Sequence, residues 1–243
     1  MAAKGYALLV GVQWLEGQPP HEDAGTAGAA HDVSMMLTLL EARGFPGASI
    51  RKLVTKDATA ENILNNLEAL PELAQPGDLV VFYNSSHGGQ VDNLNEDHET
   101  DSKDETICAY DRDIVDDELY ACFNQFKKGV RVVFVNDACN SGTTYKIAPP
   151  PYVDVMKVHL DDWGVEAELI YYGGASDGTN AQGYRTGGAF TLALSELFYL
   201  GYFTGNYEEL FNEITARTTL QDPTFWVAPN VSAVFRNSAA FTI

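Results

Sequence analysis

Three runs of consecutive apolar residues, within YALLVGV (Tyr6–Val12), LVVFY (Leu79–Tyr83) and VRVVFVND (Val130–Asp137), restrict the folds open to this chain. A strand with one wet face alternates apolar and polar residues, whereas a run without alternation belongs to a strand covered on both sides. Helical spacing fills the intervals. Ala29 to Arg43 places Val33, Met36, Leu37 and Leu40 on one face and stops at Gly44. After a second strand in ASIRKLV, Thr59 caps a helix that buries Ile63, Leu64, Leu67 and Leu70 and ends at Pro71. A short helix begins near Asp116 and Asp117, whose carboxylates suit a helix N-terminus. Past the third run, ELIYYGGAS reads as a strand, GGAFTLALSELFYLGY as a largely apolar helix and NYEELFNEITART as an amphipathic one. Strands alternating with helices imply an α/β fold, a mostly parallel central sheet with helices on both faces. Ligands of such sheets bind beyond the carboxyl ends of the strands.

The 243 residues suffice for one sizeable core. Thr143 to Asp162, with APPPY inside it, has weak periodicity and reads as an exposed linker. We therefore divide a single domain, 1–243, into a large region 1–142, a linker 143–162 and a small C-terminal region 163–243. With 34 acidic against 15 basic residues the formal charge is −19, which opposes nucleic acid or anionic membrane as a main partner and favours basic partners or cations. The three cysteines, Cys108, Cys122 and Cys139, form no CxxC pair and leave an odd number, as expected of a reducing compartment. YALLVGV is too short for a membrane span and lacks a cleavage pattern, so a soluble cytoplasmic protein is expected.

Two of the strand ends carry chemistry. His87 follows LVVFY in NSSHGG, and Cys139 follows the third run in VFVNDACNSG. A thiol becomes a useful nucleophile when a neighbouring base takes its proton, and imidazole is the usual base. Taken singly, each residue is equally an ordinary small or polar side chain at a strand end. Their conjunction at two strand ends, 52 positions apart, is what makes a dyad. Gly88 and Gly89 leave backbone amides unshielded beside the histidine, where a developing oxyanion is held.

FYNSSHGGQ and VFVNDACNSG resemble the two active-site blocks of the caspase-like cysteine peptidases, in the metacaspase and bacterial orthocaspase branch. YALLVGV, AGAAHDVSMMLTLLEARGF, DETICAYDRDIVDDELY, GGAFTLAL and QDP are similar to further family blocks, in the family's order. The resemblance implies a caspase-like fold and a monomer that cleaves peptide bonds after Arg or Lys through an acyl-enzyme. Cys139 is then the nucleophile, His87 the general acid and base, and Gly88 an oxyanion donor. Asp137, Asp32 and Ser85 match the family's first specificity pocket, and a carboxylate pair suits a guanidinium in a basic peptide or protein substrate. The alternative is a non-catalytic caspase-like module that binds basic segments.

Three positions depart from the pattern: Ser86 stands for the usual Gly, Asn140 for the usual His, and Ala29 at a position that commonly bears Cys. The chemistry requires no cofactor, but calcium-activated relatives use aspartates matching Asp104, Asp116 and Asp117, while Lys146 replaces a fourth. The acidic stretch from Asp92 to Glu105 fits no EF-hand, since Ser102 stands where glycine is required and Cys108 where a bidentate Glu belongs. Lys146 and Lys157, in the linker, are sites at which such an enzyme would cut its own chain.

Overall fold

The computed structural model describes residues 2–17, 26–92, 103–138, 164–176, 181–199 and 203–243. Its centre is a six-stranded sheet built from β1 (Gly5–Gly11), β2 (Ile50–Val54), β3 (Leu79–Ser85), β7 (Arg131–Asp137), β8 (Glu168–Gly173) and β11 (Thr224–Val227), in the order β11-β8-β7-β3-β1-β2. All neighbours are parallel except β11, which runs antiparallel to β8. Strands from both sides of the expected linker thus share one sheet. The linker itself, 143–162, lies outside the described residues.

The unbroken apolar runs explain the two-sided burial. Leu8, Val10, Phe82 and Phe134 face one core, closed by helices α2 (Ala60–Leu73) and α3 (Asp116–Phe123). Leu9, Val81, Tyr83, Val133 and Val135 face the other, closed by α1 (Ala29–Ala42), α4 (Ala189–Tyr199), α5 (Tyr207–Arg217) and the short α6 (Ala233–Arg236). Helices therefore cover both faces, as expected of a mostly parallel sheet. Among the described residues no helix is long and apolar enough to cross a membrane.

Two expectations are corrected. Helix α2 is capped by Thr59, whose side chain accepts from Asn62 N, but it continues past Pro71 to Leu73. Pro71 forfeits one backbone bond, yet its buried ring packs while Leu70 O still accepts from Ala74 N at 2.9 Å, so the last turn survives. Leu64 is only partly buried. The second correction follows His87, where a strand replaces the expected loop. β4 (Gly88–Asp92) pairs antiparallel with β5 (Lys103–Cys108), and β5 with β6 (Asp113–Val115). Gln90 and Glu105 face each other in this register and are joined at 2.8 Å through Gln90 Nε2, so the acidic stretch re-enters a sheet by Asp104. Residues 93–102, the rest of it, lie outside the described residues. The remaining pair, β9 (Gly183–Tyr184) and β10 (Gly187–Gly188), is a minimal hairpin leading directly into α4.

Candidate active site

The geometry starts from strand register. β3 and β7 are parallel neighbours with Ser85 opposite Asp137, and His87 and Cys139 stand two residues beyond each of these. His87 therefore follows β3 at the carboxyl edge of the sheet, and Asp137 ends β7 at the same level. Cys139 itself, with Asn140, Lys146 and Lys157, lies outside the described residues.

Just below that edge is a buried acid pair. Asp137 ends β7 and Asp32 sits in the first turn of α1; they are 5% and 1% exposed. Asp32 accepts from Ser85 Oγ at 2.7 Å and from Gly188 N at 3.0 and 3.1 Å. Asp137 Oδ2 accepts from Thr191 Oγ1 at 2.7 Å and Thr191 N at 3.1 Å. Because the Thr191 hydroxyl spends its one proton on Asp137, it accepts from Tyr83 OH at 2.6 Å, completing a buried relay. Among the described residues no basic side chain is hydrogen-bonded to either carboxylate. Burial, then the charge of Asp137, pushes the Asp32 carboxyl up to about 7, and burial pushes Asp137 up to about 6 against the Thr191 bonds.

Glycine makes the pair fit. Gly187 has φ +136°, a conformation L side chains rarely adopt. A Cβ on Gly187 would overlap Asp32, one on Gly188 would overlap Asp137, and one on Gly28 would overlap the Gly187 backbone. The hairpin entering α4 thus packs its bare backbone against both carboxylates.

His87 is bracketed by hydroxyls. Ser86 Oγ donates to His87 O at 2.8 Å and accepts from Asn84 Nδ2 at 2.9 Å, while Asn84 also donates to Asn136 Oδ1 across the strands at 2.7 Å. Positive φ at non-glycine positions is confined to Thr55 and Phe241 among the described residues, so Ser86 stands in backbone that does not require the family's glycine. Ser86→Gly is expected to lower stability by about 1–2 kcal/mol, through two lost buried hydrogen bonds and a freer unfolded chain, as read by urea unfolding. Burial lowers the His87 pKa, and its ring Nε2 lies 3.3 Å from Thr26 Oγ1. Gly88 begins β4 directly after it, opposite Ile107.

Of the aspartates matched to a calcium site, Asp104 is buried in β5 with one carboxylate oxygen lacking a hydrogen-bond partner, Asp116 is buried at the start of α3, and Asp117 follows it. Asp116 Oδ1 accepts from Asp117 N at 2.9 Å, the expected helix-terminal role. Among the described residues no three His, Cys, Asp or Glu side chains gather closely enough to hold a metal ion.

Sheet order and two-sided helical cover are those of a caspase-like α/β fold. Caspase-1 from Spodoptera frugiperda superposes with a TM-score of 0.57 at 15% identity, over 93% of this chain and 87% of that one, a likeness of fold alone. A crystal structure of a Geobacter sulfurreducens protein matches with a TM-score of 0.79 at 28% identity, over 99% of both chains. The chain belongs to the metacaspase family of cysteine peptidases: the model of the metacaspase, peptidase C14 domain matches residues 6–148. Metacaspase-1A of Aspergillus oryzae is 33% identical over 160 residues, which are 60% of this chain and 36% of the relative. A Trypanosoma brucei brucei relative named inactive metacaspase-4 is 28% identical over 226 residues, 78% of this chain and 61% of the relative. The chain therefore spans less than two thirds of either relative.

Asp32, Ser85, His87, Gly88, Asp137 and Cys139 all fall inside the matched residues. Gly187, Gly188 and Thr191, which complete the acid pocket, fall outside them, and sequence reading assigns them no role. The signal that could have found them is GGAFT, a glycine pair and a threonine opening an otherwise apolar helix.

Proposed function

We propose that this chain is a cysteine endopeptidase cleaving after Arg or Lys, with Cys139 as nucleophile and His87 as general acid and base. The observation that supports the reading is the β3–β7 register, which sets Ser85 opposite Asp137 at the carboxyl edge of the sheet, two residues before His87 and Cys139 in sequence, with Asp32 and Asp137 buried there. His87 accepts the thiol proton, and the thiolate attacks the substrate carbonyl carbon, forming a C–S bond as the electron pair moves to oxygen. The Gly88 amide is assigned to that oxyanion. The C–N bond then breaks as His87 passes its proton to the departing amine. A water deprotonated by His87 finally cleaves the thioester, restoring the thiol. None of these steps calls for a metal ion.

Specificity follows from electrostatics. Two buried carboxylates without a basic partner are costly, and a guanidinium or ammonium entering among Asp32, Asp137 and Ser85 supplies the missing charge. The acidic surface draws such substrates in. A binding-only module would use the same pocket, and the Trypanosoma relative named inactive makes that alternative worth testing directly.

Fluorogenic peptides ending in Arg, Lys or Asp, assayed with and without calcium, separate the readings. Turnover of the Arg and Lys peptides is expected, falling to the blank in Cys139→Ala. Binding of these peptides without turnover above that blank would leave the module; turnover selective for Asp would overturn the pocket assignment.

A further inference from the structure

Beyond the dyad, a third residue controls the histidine. We propose that Thr26 is a positioning residue that holds the His87 imidazole in its Nε2–H tautomer, leaving Nδ1 as the basic nitrogen. Thr26 lies just before α1, 8% exposed, and its hydroxyl touches two groups. It reaches Gln13 O at 3.1 Å and His87 Nε2 at 3.3 Å. A hydroxyl has one proton to give. Gln13 O can only accept, whereas a ring nitrogen can donate or accept. Both contacts are hydrogen bonds only when the hydroxyl donates to Gln13 O and Nε2–H donates to the hydroxyl oxygen.

The hydroxyl is itself held. Gln13 Nε2 donates to Ala27 O at 2.8 Å, so the segment after β1 and the turn before α1 are tied by reciprocal bonds at Thr26 and at Ala27. The neighbouring Val12 N donates to Ser85 O at 2.9 Å, which locks the same segment to the strand that carries His87. His87 O is fixed independently, by Cys108 N at 2.9 Å and Ser86 Oγ at 2.8 Å. Backbone and ring are thus anchored from different elements, and Thr26 provides the ring's anchor. When the imidazole is protonated Nε2–H still donates to Thr26, so the contact survives the proton transfer and needs no rearrangement.

The kinetic part of the inference rests on the peptidase reading; the tautomer does not, and the test keeps them apart. Protein labelled with nitrogen-15 in histidine rings is examined by NMR at pH 8, where the ring is neutral, with His87 assigned by its absence in His87→Gln. The expected spectrum has His87 protonated on Nε2 in the natural protein and in Thr26→Ser, and a mixture of tautomers in Thr26→Val. On Arg peptides kcat should fall roughly 3- to 10-fold in Thr26→Val, the ratio one neutral hydrogen bond supports, with KM unchanged and recovery in Thr26→Ser. An Nδ1–H tautomer in the natural protein, or the same tautomer in Thr26→Val as in the natural protein, would overturn the inference even if the chain is a peptidase. The expected tautomers in a protein that cleaves nothing would leave Thr26 in place and remove the peptidase reading instead.

Discussion

Asp137→Asn is expected to cut kcat/KM on Arg or Lys peptides by roughly 10²- to 10³-fold while making the fold more stable above pH 7. The kinetic loss follows because removing one charge from a desolvated ion cluster costs about 3–5 kcal/mol. The gain in stability follows from proton counting. Asp137 and Asp32 are raised to about 6 and about 7 in the fold. Between the ordinary carboxylate range near 4 and these values the native state holds more protons than the unfolded chain. The stability they provide is therefore full below pH 4 and is lost as pH rises through 6 to 7. Asparagine removes the Asp137 share of that loss, on the order of 2–3 kcal/mol at pH 8 and close to nothing at pH 4. It also keeps an oxygen for Thr191 and places an N–H where Asp137 Oδ1 stands. Chemical denaturation at pH 4 and pH 8, beside steady-state kinetics, measures both halves. Unchanged kinetics would refute Asp137 as the specificity residue, and a loss of stability at pH 8 would refute the uncompensated acid pair.

Gly188→Ala should cost at least 10²-fold in turnover of basic peptides and about 1–3 kcal/mol of stability. The new methyl would overlap the Asp137 carboxylate, which cannot swing away without breaking both bonds from Thr191. Nor can the backbone retreat easily, since Gly188 N is bonded to Asp32 and the next residue opens α4. Gly47→Ala is the control: it is exposed, and its Cβ meets only the end of a Glu41 side chain at 3.2 Å. Equal effects of the two substitutions on turnover would show that the pocket does not depend on the glycine hairpin.

Much of the architecture was legible because burial leaves a local trace. YALLVGV, LVVFY and VRVVFVND are unbroken apolar runs, and strands covered on both faces have no wet side on which to place polar residues. Helix ends were read nearly as well, with Thr59 capping as expected. The failures came where tertiary packing outweighs propensity: Pro71 stays helical because its ring is buried. Gly88–Asp92, poor in strand formers, becomes a strand because β5 pairs with it.

The candidate site divides along the same line. His87, Cys139, Asp137, Asp32 and Ser85 could be nominated from sequence because each falls in a short contiguous block of a recognisable kind. Thr26, Gly187, Gly188 and Thr191 carry no such mark. The hydrogen bonds by which Thr26, Gly188 and Thr191 meet His87, Asp32 and Asp137 reach 54 to 156 positions along the chain, and Gly187 packs on Asp32 from a similar separation. Local pattern determined the chemistry available at the edge of the sheet. Only the three-dimensional packing of a glycine hairpin against two carboxylates, and of a threonine hydroxyl against a ring nitrogen, decided how that chemistry is held. A hydrogen bond depends on ångström-scale distance and direction, and neither is encoded in the separation of two residues along the chain.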